Sequence, residues 1–156
     1  MKTVSIFAAV LLCLLAGCAS QQNTTSGTGR KFEAGDDFKI EVVVYGYLLE
    51  KHPWADGDYA AIFLAGSNDR TAALIRKFPH HVPPLKTGKW AQLRPNQAPI
   101  DKNTGKPGLI LSASAVDPTN GVSEAVGTWY AGEGESGLYA FVLVETDGQW
   151  TIQSVK

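Results

Sequence analysis

The chain has 156 residues, 44% of them hydrophobic, and a formal net charge of −1 at pH 7. This length suits one globular domain. The 14 basic and 15 acidic side chains form no long block of one sign, which argues against the basic surface that nucleic-acid binding requires.

The N-terminus has the pattern of a secretory signal. Lys2 supplies a positive charge, the run from Val4 to Leu15 has no charged side chain, and small residues precede Cys18. A transmembrane helix needs about 20 apolar residues, whereas polar side chains follow this run from Ser20 onward. An ordinary cleaved signal would explain the small residues but not the cysteine.

Leu15-Ala16-Gly17-Cys18 resembles the lipobox of bacterial lipoproteins. The resemblance implies that residues 1–17 are removed and that Cys18 carries lipid, with a palmitate or similar acyl chain on the new N-terminus. It also implies a membrane partner through that anchor. In the Gram-negative family, an aspartate just after the cysteine favours the inner membrane. Ala19 and Ser20 are not acidic, so we expect the outer membrane, with the domain facing the periplasm.

Residues 18–35 are rich in Ser, Thr, Gln, Asn and Gly, which predicts a flexible tether. Residues 36–156 are then a single domain. Because Cys13 is removed with the signal and Cys18 carries lipid, the domain has no disulfide and no cysteine-based site.

The first half of the domain predicts two helices around one strand. Asp36 and Asp37 suit the start of a helix that continues to Lys51. Three consecutive valines and the alternation of Phe38, Ile40 and Val42 allow a strand instead, but the length without a turn favours the helix. A strand over 59–65 and a short amphipathic helix over 69–78 follow.

Six prolines between Pro79 and Pro107 predict loop with at most one short strand, near 82–85. Four strands are predicted after it, over 109–116, 122–131, 138–146 and 150–155, with Asp147-Gly148 as a type I′ hairpin turn. These elements indicate an α+β fold in which a four-stranded antiparallel meander carries both helices on one face. The strand 138–146 is apolar on both sides, which predicts cover on both.

The order of these elements resembles that of small secreted bacterial α+β proteins of unknown function. The motifs that carry it are turns and aromatic residues over most of 36–156, namely Asp101–Gly108, Trp129-Tyr130, Ser136-Gly137 and Asp147–Trp150. The last strand, with Trp150, is also similar to cystatin-like folds such as the nuclear transport factor 2 group. Such a likeness implies a fold and not a function.

Three motifs suggest chemistry but fit a simpler interpretation better. The adjacent His80 and His81 could bind metal with His52, Asp56 or Asp58, yet neighbouring side chains diverge, so solvated loop histidines are favoured. Asp101-x-Asn103-x-Gly105 departs from the calcium-loop pattern at three positions and is predicted to be a turn. Gly132–Gly137 lacks the spacing of a nucleophile elbow and is predicted to be a hairpin tip. We therefore expect no metal, no cofactor and no catalytic residue.

Aromatic side chains remain as candidates for ligand contact. Trp129 and Tyr130 could line a groove on the sheet, and Trp90, among polar residues in a loop, could mark a contact surface. Trp54 and Trp150 are assigned to the core. The hypothesis is a noncatalytic envelope lipoprotein that binds a protein or a small ligand. The alternative is a small hydrolase or isomerase with a pocket between sheet and helices, which a buried acid or histidine in that space would favour.

Overall fold

The computed structural model describes residues 35–52 and 59–156. The predicted signal and nearly all of the predicted tether lie outside these residues, as do Trp54, Asp56 and Asp58. Within them the chain forms helices α1 (Asp36–Lys51) and α2 (Asn68–Ile75), a short 3-10 helix (Gly88–Trp90) and eight strands. The strands are β1 (Ile62–Leu64), β2 (Leu85–Thr87), β3 (Ala91–Gln92), β4 (Ile100–Asp101), β5 (Leu109–Ala115), β6 (Val122–Gly132), β7 (Glu135–Thr146) and β8 (Gln149–Val155).

Helix α1 confirms the helical interpretation of the first segment. Its buried positions recur every three or four residues, at Phe38, Ile40, Glu41, Val44, Tyr45, Leu48 and Leu49. This spacing places them on one side of a helix. Asp36 and Asp37 occupy the first turn and Lys51 the last, where each charge opposes the helix dipole. The burial of that one stripe outweighs the preference of the valines for a strand.

The predicted four-stranded meander is the antiparallel part of a six-stranded sheet with the order β2-β1-β5-β6-β7-β8. Strand β1 pairs in parallel with both β2 and β5, and β5 to β8 pair antiparallel in sequence order. The prediction of four strands was therefore wrong, although the α+β class is confirmed. Strands β1 and β2 have three residues each, too few to show a periodicity.

Both helices pack on one face of this sheet. Side chains of α1, including Val44 and Leu48, share a single buried cluster with Leu74 of α2 and with Leu109 and Leu111 of β5. Arg70 of α2 joins the two helices, because its guanidinium lies 2.6 Å from Glu41 and 2.8 Å from Asp37. The ion pairs neutralise Glu41, which is buried at 9% exposure.

The loop region contains more structure than the sequence predicts. Strand β2 begins at Leu85, and β3 and β4 form a separate two-stranded sheet where no strand was expected. Helix α2 ends at Ile75 rather than at Phe78. These short elements are stabilised by their neighbours in the fold, so local sequence signals them weakly.

The second face of the sheet, opposite the helices, is only partly covered. At one end lies the segment with β3 and β4, where Gln97 accepts a hydrogen bond from the Tyr130 hydroxyl. Next to this segment along β7, Leu138 is 62% exposed and Ala140 is exposed, and farther along the strand Val142 and Val144 are half-buried. None of the elements described here packs on that part of the face. The expectation that β7 is covered on both sides was wrong.

Candidate functional site

The structure separates the predicted ligand-lining residues. Trp129 and Tyr130 are consecutive on β6, so their side chains lie on opposite faces of the sheet. Trp129 faces the helices and packs against the core, whereas Tyr130 faces the other side. Trp90 ends the 3-10 helix at 39% exposure, with the Lys89 ammonium 5.6 Å from the centre of its ring. These three side chains do not line a common groove.

Trp129 belongs to an aromatic cluster at the C-terminal end of α1. The imidazole of His52 lies 4.8 Å from the indole, centre to centre, and 5.9 Å from the ring of Tyr139. Tyr47 contacts Tyr139 edge-on at 5.6 Å. We call Tyr47, His52, Trp129 and Tyr139 the aromatic cluster; all four side chains are half-buried.

A glycine explains the position of the indole. Trp129 pairs across the strands with Gly137 of β7, and a methyl group at Gly137 would collide with the indole nitrogen. The ring therefore packs against the backbone of Gly137, as an aromatic side chain does when it covers a glycine in a sheet. Gly137 and His52 both contact the indole, so Trp129 acts as a packing residue, with less surface for a ligand than the sequence suggests.

His52 and Tyr139 form a polar pair inside this cluster. The Nε2 atom of His52 lies 3.3 Å from the Tyr139 hydroxyl, although the two residues are 87 positions apart. Burial lowers the pKa of His52 below its usual value of 6.5, which keeps the ring neutral at pH 7. A neutral imidazole beside a phenol is a possible acid–base pair. It is the feature that the enzymatic alternative would have to use.

The space between sheet and helices, where that alternative needs a pocket, is filled around α1 and β6. Val44 and Leu48 are 0% exposed and Phe141 is 2% exposed. Gly127 of β6 lies opposite them, and a methyl group there would come within 3.1 Å of Val44, Leu48 and Phe141. Packing this dense leaves no room for a substrate. Glu41, a buried acid nearby, is held by Arg70.

The calcium-like motif is a turn, as predicted, but its acid has a structural role. The Asp101 carboxylate is 0% exposed and accepts hydrogen bonds from Lys86 (2.6 Å), the Asn103 amide (3.1 Å) and the Thr104 hydroxyl (3.1 Å). Burial alone would raise the pKa of Asp101, but these three donors lower it below its usual value of 3.8. The ammonium of Lys86 supplies the positive charge that balances the Asp101 carboxylate.

The remaining predicted motifs lie on the surface. His80 is exposed, and the Nδ1 atom of His81 lies 2.8 Å from the Pro83 carbonyl oxygen. Glu133 and Glu135 are exposed at the turn between β6 and β7. Within 35–52 and 59–156, no three His, Cys, Asp or Glu side chains are grouped so as to hold a metal ion.

The uncovered end of the second sheet face is the feature that the sequence did not reveal. We call it the open face. Its apolar members lie on β6 and β7 and at the end of β5, namely Val116, Val122, Val126, Leu138, Ala140, Val142 and Val144. Val116 is 61% exposed and Val122 is 44% exposed. Alternation along β7 could have found this face, but the sequence does not show which of two apolar sides meets the helices.

A shallow hollow crosses the open face. It has a volume of about 240 Å³ and its lining includes the small side chains of Ser114, Ala140 and Ser154, with Glu124 and Lys156 also at its walls. Small residues at one level of neighbouring strands leave a depression between larger side chains. The open face is thus apolar and concave, with one acidic and one basic side chain at the hollow.

Comparison with known proteins gives no relative for this chain. No family model, no curated protein and no solved structure matches it. Among the described residues, no helix is long and apolar enough to cross a membrane.

Proposed function

We propose that the chain is a lipid-anchored envelope protein with a noncatalytic binding role, exerted through the open face. Lipid on Cys18 would hold it in the outer membrane, with the domain in the periplasm. The observation that carries the binding role is the exposure of large apolar side chains on one continuous sheet surface, with Leu138 at 62% and Val116 at 61%.

Exposed apolar side chains scattered singly are normal, whereas a contiguous patch on a small domain is typical of an interaction site. On the open face, Val126 pairs with Ala140 and Val122 with Val144, and Leu138 and Val142 continue the row along β7. Val116 lies at the end of β5, beside Glu124. Covering such a surface contributes roughly 25 cal/mol for each Å² of apolar area removed from water. A partner that covers the open face would gain this free energy without any rearrangement of the core.

The enzymatic alternative has less support. A hydrolase or isomerase would use His52 or a buried acid in a pocket between sheet and helices, and the dense packing of Val44 and Leu48 against β6 occupies that space. The long helix against four antiparallel strands supports a cystatin-like arrangement for α1 and β5 to β8, with β1, α2 and β2 added at one edge. That arrangement does not by itself favour catalysis.

The anchor is tested by labelling cells with a fatty acid that carries a detectable group. Cys18→Ser lacks the thiol that accepts lipid, so we expect it to incorporate no label and to leave the membrane fraction. Cys13→Ser is the matched control, because Cys13 lies inside the apolar run, and it should be labelled like the parent. Label on the Cys18→Ser chain would exclude the lipobox interpretation.

The binding role is tested by chemical cross-linking of the full chain in cells. Leu138→Asp places a charge on the open face, whereas Leu93→Asp changes a leucine of matching exposure, 63% against 62%, outside it. We expect cross-linked products that disappear in Leu138→Asp and persist in Leu93→Asp. Identical products from both variants would show that the open face binds nothing in the envelope.

A further inference from the structure

We infer that the occupant of the open face is a second copy of this chain. Two open faces would pack against each other, so that the sheets form a sandwich with the helices on its outer sides. The inference rests on the proposed binding role and goes further by naming the partner. Sheets pack face to face about 10 Å apart, with strand directions within about 30° of each other, and this angle arises from the twist of each sheet.

The register of the sheet makes β7 the natural axis of such a pair. Leu138, Ala140, Val142 and Val144 follow one another along the open face of β7, with β6 on one side and β8 on the other. A twofold axis that runs parallel to β7, midway between the two sheets, places this apolar row over the same row of the second copy. It also brings β8 of each copy over β6 of the other, and the two hollows at Ala140 face each other.

The charges of the open face favour this arrangement. Glu124 lies on β6, and Lys156 follows β8 and pairs through its backbone with Ala140. Neither side chain takes part in an ion pair of the described residues. With β8 over the partner's β6, Lys156 of each copy lies above the strand that carries Glu124 of the other. Each copy therefore places its Lys156 near Glu124 of the other, so that the pair of chains contains two such contacts between opposite charges.

The area of the open face limits the stability of the dimer. Four strands about 4.8 Å apart, each contributing about six residues, cover roughly 20 by 20 Å. This is roughly 400 Å² of each copy and about 800 Å² in total, which lies below the roughly 1,200–2,000 Å² that stable specific interfaces bury. Such a dimer is weak in dilute solution. Anchoring of both copies to one membrane raises their effective concentration, which favours pairing there.

The test is cross-linking between thiols of the full chain in its membrane. Leu138→Cys puts a thiol on the proposed axis, and Leu93→Cys puts one at a leucine of equal exposure in a loop. A short bismaleimide, whose span does not exceed the roughly 10 Å between packed sheets, should join two Leu138→Cys chains. We expect a product of twice the chain's mass, with at least tenfold higher yield than for Leu93→Cys.

Charge reversal provides the second arm, in the Leu138→Cys chain. Glu124→Lys or Lys156→Glu alone brings like charges together, and we expect each to lower the dimer yield severalfold. The double variant restores opposite charges and should restore the yield. Because Glu124 and Lys156 form no pair within one copy, such a rescue would report contact between copies.

Three results would overturn the inference: equal dimer yields from Leu138→Cys and Leu93→Cys, no rescue in the double variant, or a Leu138→Cys product whose mass is not twice that of the chain. The last result would keep the proposed binding role and identify a different partner. The parent chain, which carries neither introduced cysteine, is the negative control for cross-linking. A cross-linked product from the parent would reveal free N-terminal cysteines and so contradict the anchor, while the difference between the two leucine positions would still measure pairing.

Discussion

Gly127 marks the tight contact between α1 and β6. A Cβ atom at this position would lie 3.0 Å from the ring of Phe141 and 3.1 Å from side-chain carbons of Val44 and Leu48. Relaxed carbon contacts are about 3.5–4.0 Å. Gly127→Ala must therefore push α1 away from the sheet or displace the Phe141 ring.

The cost of this change can be worked from its two parts. Inserting a methyl group into a packed core raises the free energy of the folded state by about 1–3 kcal/mol. Removing glycine from a strand interior recovers about 0.5–1 kcal/mol of backbone entropy. The difference centres on about 1 kcal/mol, and we expect Gly127→Ala to lower the free energy of unfolding by about that amount. At about 4 °C for each kcal/mol in a domain of this size, Tm falls by about 4 °C.

Gly46→Ala is the matched control within the same layer. Gly46 lies in α1, where an added Cβ would be 3.9 Å from the Phe78 ring, an ordinary contact. Alanine is favoured over glycine in a helix by about 0.8–1.0 kcal/mol, so Tm should rise by about 3 °C. Thermal and urea melts followed by circular dichroism measure both variants. A Gly127→Ala protein as stable as the parent would refute the packing argument and imply a void between α1 and β6.

Trp150→Ala should lower the free energy of unfolding by about 3–5 kcal/mol, because Trp150 is 6% exposed. Trp90→Ala should lower it by about 1 kcal/mol or less. Urea melts measure both variants, and equal losses of unfolding free energy would place Trp90 in the core. Asp101→Asn removes the charge that Lys86 contacts and should cost about 2 kcal/mol at pH 7. Since the pKa of Asp101 is lowered in the folded state, this stabilisation is complete above about pH 4 and is lost as the pH falls through the lowered pKa. The stability difference between the parent and Asp101→Asn should therefore shrink on acidification, and a difference that grows would contradict this prediction. Deletion of residues 19–33 should leave Tm unchanged, and a fall of several degrees would make the tether part of the fold.

Sequence patterns located most of the long elements because their signals are local. The stripe of apolar residues in α1 and the apolar runs of β5 to β8 appear at nearly the predicted positions. The turn at Asp147-Gly148 has positive φ at both residues, 54° and 77°, as a type I′ hairpin requires. Trp150 is buried at the start of β8, as its position after that turn predicts.

The candidate site was predicted less well because its parts are distant in sequence. His52 and Tyr139 are 87 residues apart, and their hydrogen bond follows from the packing of α1 on β7. Trp129 has an aromatic side chain that suits ligand contact, yet it is half-buried and packs against Gly137 and His52. No property of Trp129 alone distinguishes these roles.

The sequence by itself determined the class of the fold, the two helices, the four long strands and the hairpin turn, because each depends on residues a few positions apart. Tertiary structure alone decided the sheet order, the parallel pairing of β1 with β2 and β5, and the side of β7 that meets the helices. Both sides of β7 are apolar, so alternation could not choose between them. The choice was made by α1, whose single apolar stripe covers one face of the sheet and leaves the other open.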